Sequence, residues 1–229
     1  MKARHITPAL LTFAFVMAGC AGEQAAEDAS EGAGQSYPNL AAPLAFENDR
    51  VVVQTISVEP DVWAGEHGHE GNQLGISIDG GTQTYRVDGE ETDVTYAVGE
   101  AFWVDAIESH DHMVKEAGLS AVLVTLKELK AGMGTGQTYP NIDPTVVFEN
   151  DYVIVQKLTS EPGQWVGEHS HAGNQIAIVL KGGTTTYRVG DEETVVSHAD
   201  GEVFWVEATD AHDHADDSAT EALLVTLKG

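Results

Sequence analysis

Short β-branched and aliphatic runs alternate along the chain with polar clusters rich in Gly, Asp and Asn, and no stretch sustains a helical period. Val51 to Ser57 and Gln73 to Ile78 read as strands, the second ending in the turn signal Asp79-Gly80-Gly81. Thr82 to Val87 follows, closed by Asp88-Gly89, a dipeptide suited to a tight hairpin. Ala101 to Val104, His110 to Val114 and Ala121 to Leu126 complete the set. Strands this short, broken by turns, predict an all-β sandwich or barrel.

The pattern occurs twice. Tyr37-Pro38-Asn39 returns as Tyr139-Pro140-Asn141, Gly65-Glu66-His67 as Gly167-Glu168-His169, and Phe102-Trp103-Val104 as Phe204-Trp205-Val206, each shifted by 102 positions. Val124 to Lys127 returns as Val225 to Lys228, shifted by 101, so the second copy has lost one residue. That period is too long for a solenoid repeat and suits a small domain. The expected organisation is one domain over residues 37–129, a linker over 130–138 and a second domain over 139–229.

Before the first copy lie two further segments. Lys2 and Arg4 precede an apolar run from Ala9 to Met17 that is too short to span a bilayer, the layout of a secretory signal peptide over residues 1–19. It ends in Met17-Ala18-Gly19-Cys20, which resembles the lipobox of bacterial lipoproteins. The resemblance implies acylation of Cys20, anchorage to the membrane by lipid alone, and, with Ala21 next, delivery to the outer membrane facing the periplasm. Residues 20–36 hold no aromatic or large aliphatic side chain and are expected to be a flexible tether.

Cys20 is the one cysteine, so neither a disulfide nor a thiolate metal site can form within the chain. The formal charge is −26, and removing the two cations of residues 1–19 makes it −28. Such a surface repels phosphate backbones, which argues against a nucleic-acid partner.

Eight of the ten histidines form matched quartets: His67, His69, His110 and His112, then His169, His171, His212 and His214. His5 and His198 have no counterpart, and His198 is expected on a solvated strand. Side chains at i and i+2 of a strand share a face, so each His-x-His pair presents two imidazoles to one side. Two such strands facing each other inside a barrel bring three or four ring nitrogens within roughly 2.0–2.2 Å of one ion. Tyr85, Arg86, Tyr187 and Arg188 alternate on a strand and read as cross-strand packing and rim charge. Trp103 and Trp205 read as core or pocket wall.

These residues carry a family resemblance. Each copy resembles a cupin, whose first motif has a glycine, a His-x-His pair and a further ligand, and whose second adds a histidine after a glycine-led strand. Gly65-Glu66-His67-Gly68-His69-Glu70-Gly71-Asn72-Gln73 matches the first, and Gly99-Glu100-Ala101-Phe102-Trp103-Val104 with His110 the second. The second copy repeats them as Gly167 to Gln175 and Gly201 to His212. The resemblance implies two tandem jelly-roll (double-stranded β-helix) barrels, a bicupin.

Two departures shape the expected chemistry. Gln73 and Gln175 stand where many cupins have a ligand glutamate, and Asp105 and Glu207 where the second motif usually has a proline. A glutamine is a neutral, weaker oxygen donor, so the expected metal set is His67, His69 and His110, and His169, His171 and His212, with Gln73 and Gln175 as further candidates. His112 and His214 are either fourth ligands or acid/base groups beside the metal. The resemblance to three-histidine cupin dioxygenases puts Fe2+ first among divalent transition metals, with Mn2+, Ni2+, Zn2+ and Cu2+ as alternatives, and a small organic molecule as substrate. Oxygen-independent isomerisation or lysis, and metal or ligand binding without catalysis, are the other readings.

Overall fold

The computed structural model describes residues 34–69, 72–115 and 118–229, and every regular element among them is a β-strand. The expected signal peptide, Cys20 and residues 20–33 of the expected tether lie outside the described residues. No described helix is long and apolar enough to cross a membrane.

The first copy contains β1 (Leu44–Glu47), β2 (Val51–Val58), β3 (His67–His69), β4 (Gln73–Ser77), β5 (Gly81–Val87), β6 (Glu90–Tyr96), β7 (Ala101–Val104), β8 (Ile107–Val114) and β9 (Leu119–Leu126). The second repeats them as β10 (Thr145–Glu149), β11 (Val153–Ser160), β12 (His169–His171), β13 (Gln175–Lys181), β14 (Gly183–Val189), β15 (Glu192–His198), β16 (Val203–Val206), β17 (Thr209–Asp216) and β18 (Thr220–Leu227). All pairings between these strands are antiparallel. Each copy folds into a five-stranded sheet, β1-β2-β9-β4-β7 or β10-β11-β18-β13-β16, and a four-stranded one, β3-β8-β5-β6 or β12-β17-β14-β15. This is the expected jelly-roll barrel, twice.

The β5–β6 hairpin turns on Asp88 and Gly89, both in the left-handed region, as a two-residue turn matching the strand twist requires. β6 itself is mostly exposed and polar, so it carries no apolar alternation.

Register assigns the two faces of the five-stranded sheets, because residues directly opposite one another share a face. Val51 opposes Leu126, Val53 and Leu74 oppose Val124, and Ile76 opposes Val122. All are buried in one cluster with Val153, Val155, Ile176, Ile178, Leu223 and Val225 of the second copy. The main apolar core therefore lies between the two barrels, sheet against sheet. It is sealed by reciprocal aromatic pairs: Trp103 stacks on Phe148 at 6.5 Å between centroids, and Trp205 meets Phe46 at 6.3 Å. The tryptophans thus belong to the core and not to a pocket wall.

The opposite face points into each barrel and is partly polar. Gln54, Gln73 and Ser77 are buried there in the first copy, Gln156, Gln175 and Ser160 in the second. Gln54 accepts a hydrogen bond from the backbone N–H of Gln35 at 2.7 Å and donates to its carbonyl at 2.9 Å; Gln156 does the same for Gln137, at 2.6 and 3.0 Å. Gln35 and Gln137 donate onward to the carbonyls of Gly68 and Ser170, between the paired histidines. The segments before Tyr37 and Tyr139 are thereby strapped across the barrels. Gly65 (φ +89°) and Gly167 (φ +92°) give the straps room, since a Cβ would meet Pro38 or Pro140 within 2.7 Å.

Candidate metal centres

β3 and β8 bring the first quartet together. His67 opposes His110, and a register shift between His67 and His69 lets both side chains turn inward. His67, His69 and His110 are buried, and each offers a ring nitrogen within 4.8 Å of the others'. The Nε2 atoms of His69 and His110 lie 3.3 Å apart. Two ligands each about 2.1 Å from one ion are about 3.0–3.4 Å apart. His67 donates from Nδ1 to the carbonyl of Gly65 at 2.6 Å, which leaves the lone pair on Nε2, and that atom is buried without a partner. A buried lone pair with nothing to accept from is costly unless a cation meets it, so these residues fit a metal ion.

The second copy repeats the arrangement with His169, His171 and His212. His169 donates from Nδ1 to Gly167 at 2.8 Å, and its Nε2 stands 3.3 Å from that of His171. Here the supports are more complete. Thr209 Oγ1 and the Asp210 carbonyl lie 3.3 and 3.1 Å from His212 Nδ1, whereas the Nδ1 of His110 is buried without a partner.

Gln175 stands behind the site. Its carboxamide oxygen takes the Nδ1 proton of His171 at 2.7 Å, while its nitrogen donates to Thr226 at 3.1 Å. Gln73 likewise donates to Thr125, at 2.8 Å. The geometry makes Gln175 an orienter of its imidazole, directing Nε2 inward, whereas Gln73 Oε1 and His69 Nδ1 are both buried without a partner.

Electrostatics favour neutral rings. Burial is the largest cause throughout, with neighbouring imidazoles adding to it: His69 and His110 are pushed down to about 4 and His112 to about 3. His171 is pushed down to about 4 against an opposing hydrogen bond from Gln175, His214 to about 4 against Asp216, and His169 is lowered as well. Neutral imidazoles hold the lone pairs a metal needs.

His112 and His214 stand beside the triads, their rings 5.3 Å from those of His67 and His169. Gln83 Nε2 lies 3.2 Å from His112 Nδ1, but Thr185 replaces Gln83 in the second copy and the Nδ1 of His214 is buried unpartnered. Tyr37 and Tyr139, carried on the straps, meet His67 and His169 edge-on at 4.5 and 4.6 Å. Burial raises the phenols of Tyr37, Tyr85 and Tyr139 far above their ordinary range.

Tyr85 and Tyr187 pack across the strands, as expected, on the inward face opposite His112 and His214. Arg86 and Arg188 do face outward, stacked on Trp63 and Trp165 at 3.6 and 3.7 Å. His198 is not on a solvated strand position; it turns inward, lies 3.2 Å from the Tyr187 hydroxyl, and stacks on Phe204. The strap tyrosines and Gln54 were visible only as unexplained identities between the copies.

Residues 156–227 match the family model described as Cupin domain. No curated protein matches the sequence. Among solved structures, AerE from Microcystis aeruginosa is similar in fold with a TM-score of 0.60 at 13% identity, covering 84% of this chain and 94% of that one. Oxalate decarboxylase from Bacillus subtilis, described with Mn(II) centres, has a TM-score of 0.54 at 12% identity over 78% of this chain and 69% of its own. Salicylate 1,2-dioxygenase from Pseudoaminobacter salicylatoxidans, solved with gentisate, has a TM-score of 0.53 at 10% identity over 77% of this chain and 68% of its own. With the histidine clusters and the jelly-roll topology present in both halves, the chain is a tandem of two cupin-fold barrels, the second of which matches the cupin domain model directly.

Proposed function

We propose that each barrel holds one divalent transition-metal ion on three imidazoles, and that the protein is a metal-dependent enzyme of the dioxygenase type acting on a small organic molecule. The observation that carries this reading is the buried, partnerless Nε2 of His67 aimed at a point it shares with His69 and His110. The fourth histidine stands outside each triad, and an ion held by three imidazoles alone would keep coordination positions open, as catalysis requires. A ferrous ion held there would supply Lewis-acid and redox chemistry toward a chelating substrate and O2.

The chain's own residues would do the rest. Gln175 would hold its imidazole in one tautomer, the strapped Tyr37 and Tyr139 would limit water, and His112 and His214, neutral through burial, would exchange a proton with the substrate. The dioxygenase and the manganese decarboxylase that share this fold are the analogies behind the reaction class. Metal analysis after anaerobic purification, then oxygen uptake with phenols and enediols, tests it. The double variant H67A/H169A should lose both metal and uptake; full uptake in the metal-free variant would overturn the proposal. Turnover without oxygen would move it to the isomerase or lyase class.

We also propose that the protein is anchored in the bacterial envelope through acylated Cys20, which the lipobox-like Met17 to Cys20 supports. Labelled palmitate should enter the wild type and be absent from C20S.

A further inference from the structure

The two cavities carry different groups at one inward position, a phenol in the first and an imidazole in the second. In the first barrel the inward position at the end of β6 is Tyr96, whose hydroxyl meets that of Tyr85 at 2.9 Å, and Tyr85 donates to Gln83. In the second barrel that position is His198. Its Nδ1 lies 3.2 Å from the carboxylate of Glu202, and its Nε2 3.2 Å from the hydroxyl of Tyr187.

The chemistry of the ends fixes the direction of the middle. A carboxylate only accepts, so Nδ1 carries the proton and donates it to Glu202, and Nε2 keeps a lone pair for the Tyr187 hydroxyl to donate into. The His198 side chain is 14% exposed and that of Glu202 38%, so the chain of bonds runs from the barrel interior to its rim. Its inner end is Tyr187, whose ring lies 5.5 Å from that of His214. Burial, with Asp216 and Glu202 adding to it, pushes the Tyr187 phenol up to about 12, so it remains a phenol and conducts a proton without storing one.

We propose that Tyr187, His198 and Glu202 form a proton relay peculiar to the second barrel, which draws a proton from a hydroxyl-bearing organic ligand in that cavity. As the ligand O–H bond breaks, a new O–H bond forms on Tyr187, whose own proton passes to Nε2 of His198. The resulting imidazolium is held beside the Glu202 carboxylate. Charge balances between the ligand oxyanion and the imidazolium, nothing is oxidised or reduced, and the reverse sequence returns the proton to a product. The ligand class is a phenol, catechol or enol, an acid too weak to arrive ionised. Glu202 has a counterpart in Glu100, bonded to the corresponding backbone N–H, but the first barrel has Tyr96 in place of His198. The inference rests on the metal-centre reading for what else holds the ligand.

Zinc-loaded full-length protein with 4-nitrocatechol tests it, since zinc is colourless and redox-inert and the probe's absorption moves to longer wavelength on its second deprotonation. With the first site removed by H67A, the bound probe should be doubly deprotonated at neutral pH. H198F and H198Y should still bind zinc and probe but lower the ratio of doubly to singly deprotonated probe ~10-fold, and E202Q should act in the same direction. His198→Tyr restores the residue of the first barrel, so it guards against a folding defect. With the second site removed by H169A, Y96H should raise the ratio in the first barrel. An unchanged ratio in H198F and H198Y overturns the relay and leaves the metal centres standing. Failure of the probe to bind a barrel shown to contain zinc overturns both the relay and the substrate reading.

Discussion

The two barrels share their strands, their straps and their histidine triads, and differ at the end of the cavity beyond the fourth histidine. In the first, Val58, Val114 and Leu119 close it as a buried apolar cluster. In the second the corresponding positions are Ser160, Asp216 and Thr220, and the buried carboxylate of Asp216 accepts from Ser160, Thr185 and Thr220. His198 in place of Tyr96 belongs to the same set of changes. What is common to both copies is what holds a metal; what has changed is the polarity and proton-carrying capacity of the space beside it. The pair therefore reads as one binding device with two different reaction chambers.

Exchanging the differing residues should break the comparison most sharply. V114D would bury a carboxylate where Val58 and Leu119 offer no donor, and should cost about 3–5 kcal/mol, read as a fall in the denaturation midpoint. The converse, D216V, leaves Ser160 and Thr220 only 2.7 Å apart and able to bond each other, so it should cost less, about 1–3 kcal/mol. Equal losses for the two exchanges would show that the hydroxyl cage does not support Asp216.

Removing the amide that orients His171 should weaken metal binding about 10–100-fold, as loss of a group behind a ligand does. Q175L should suffer more than Q73L, because only Gln175 has its oxygen on the imidazole at 2.7 Å, while Gln73 Oε1 and His69 Nδ1 are both buried unpaired. Zinc titration of each variant, with the other site removed, reads the difference.

Acid should act on both barrels alike and so separate them least. Histidines held down to about 4 or 3 refuse protons that the unfolded chain takes up near 6.5. Between those values the unfolded state binds more protons, so stability of the metal-free protein rises with pH there. It should be fully present above about 6.5 and fall progressively as pH drops to about 4, as denaturant midpoints across that window will show. Metal binding at pH 7.5 should release few protons.

The fold and the triads were legible because both rest on local periodicity. His67 and His69 alternate on a strand, and six predicted strands recur within two or three residues of β2, β4, β5, β7, β8 and β9. β6 was not legible, since its exposed, acidic residues carry no apolar signal and its place comes from pairing with β5. The inter-barrel core was hidden because runs such as Val51-Val52-Val53 are apolar on both faces, and only register shows that Val51 and Val53 meet the other barrel. Tyr187 and His198 are eleven residues apart and come together only across the β14–β15 register, so a lone histidine looked like a surface one. The straps were missed because Gln35 and Gln137 bond through side chains within polar, Gly-containing segments that otherwise read as tether and linker.

Both barrels are proposed to bring imidazoles from separate strands together on one ion. Anomalous diffraction at the absorption edge of a bound transition metal tests it directly. A peak is expected in each barrel within about 2.0–2.2 Å of Nε2 of His67, His69 and His110, and of His169, His171 and His212. Metal-soaked crystals with no peak at either triad, or with peaks only on surface carboxylates, would contradict it.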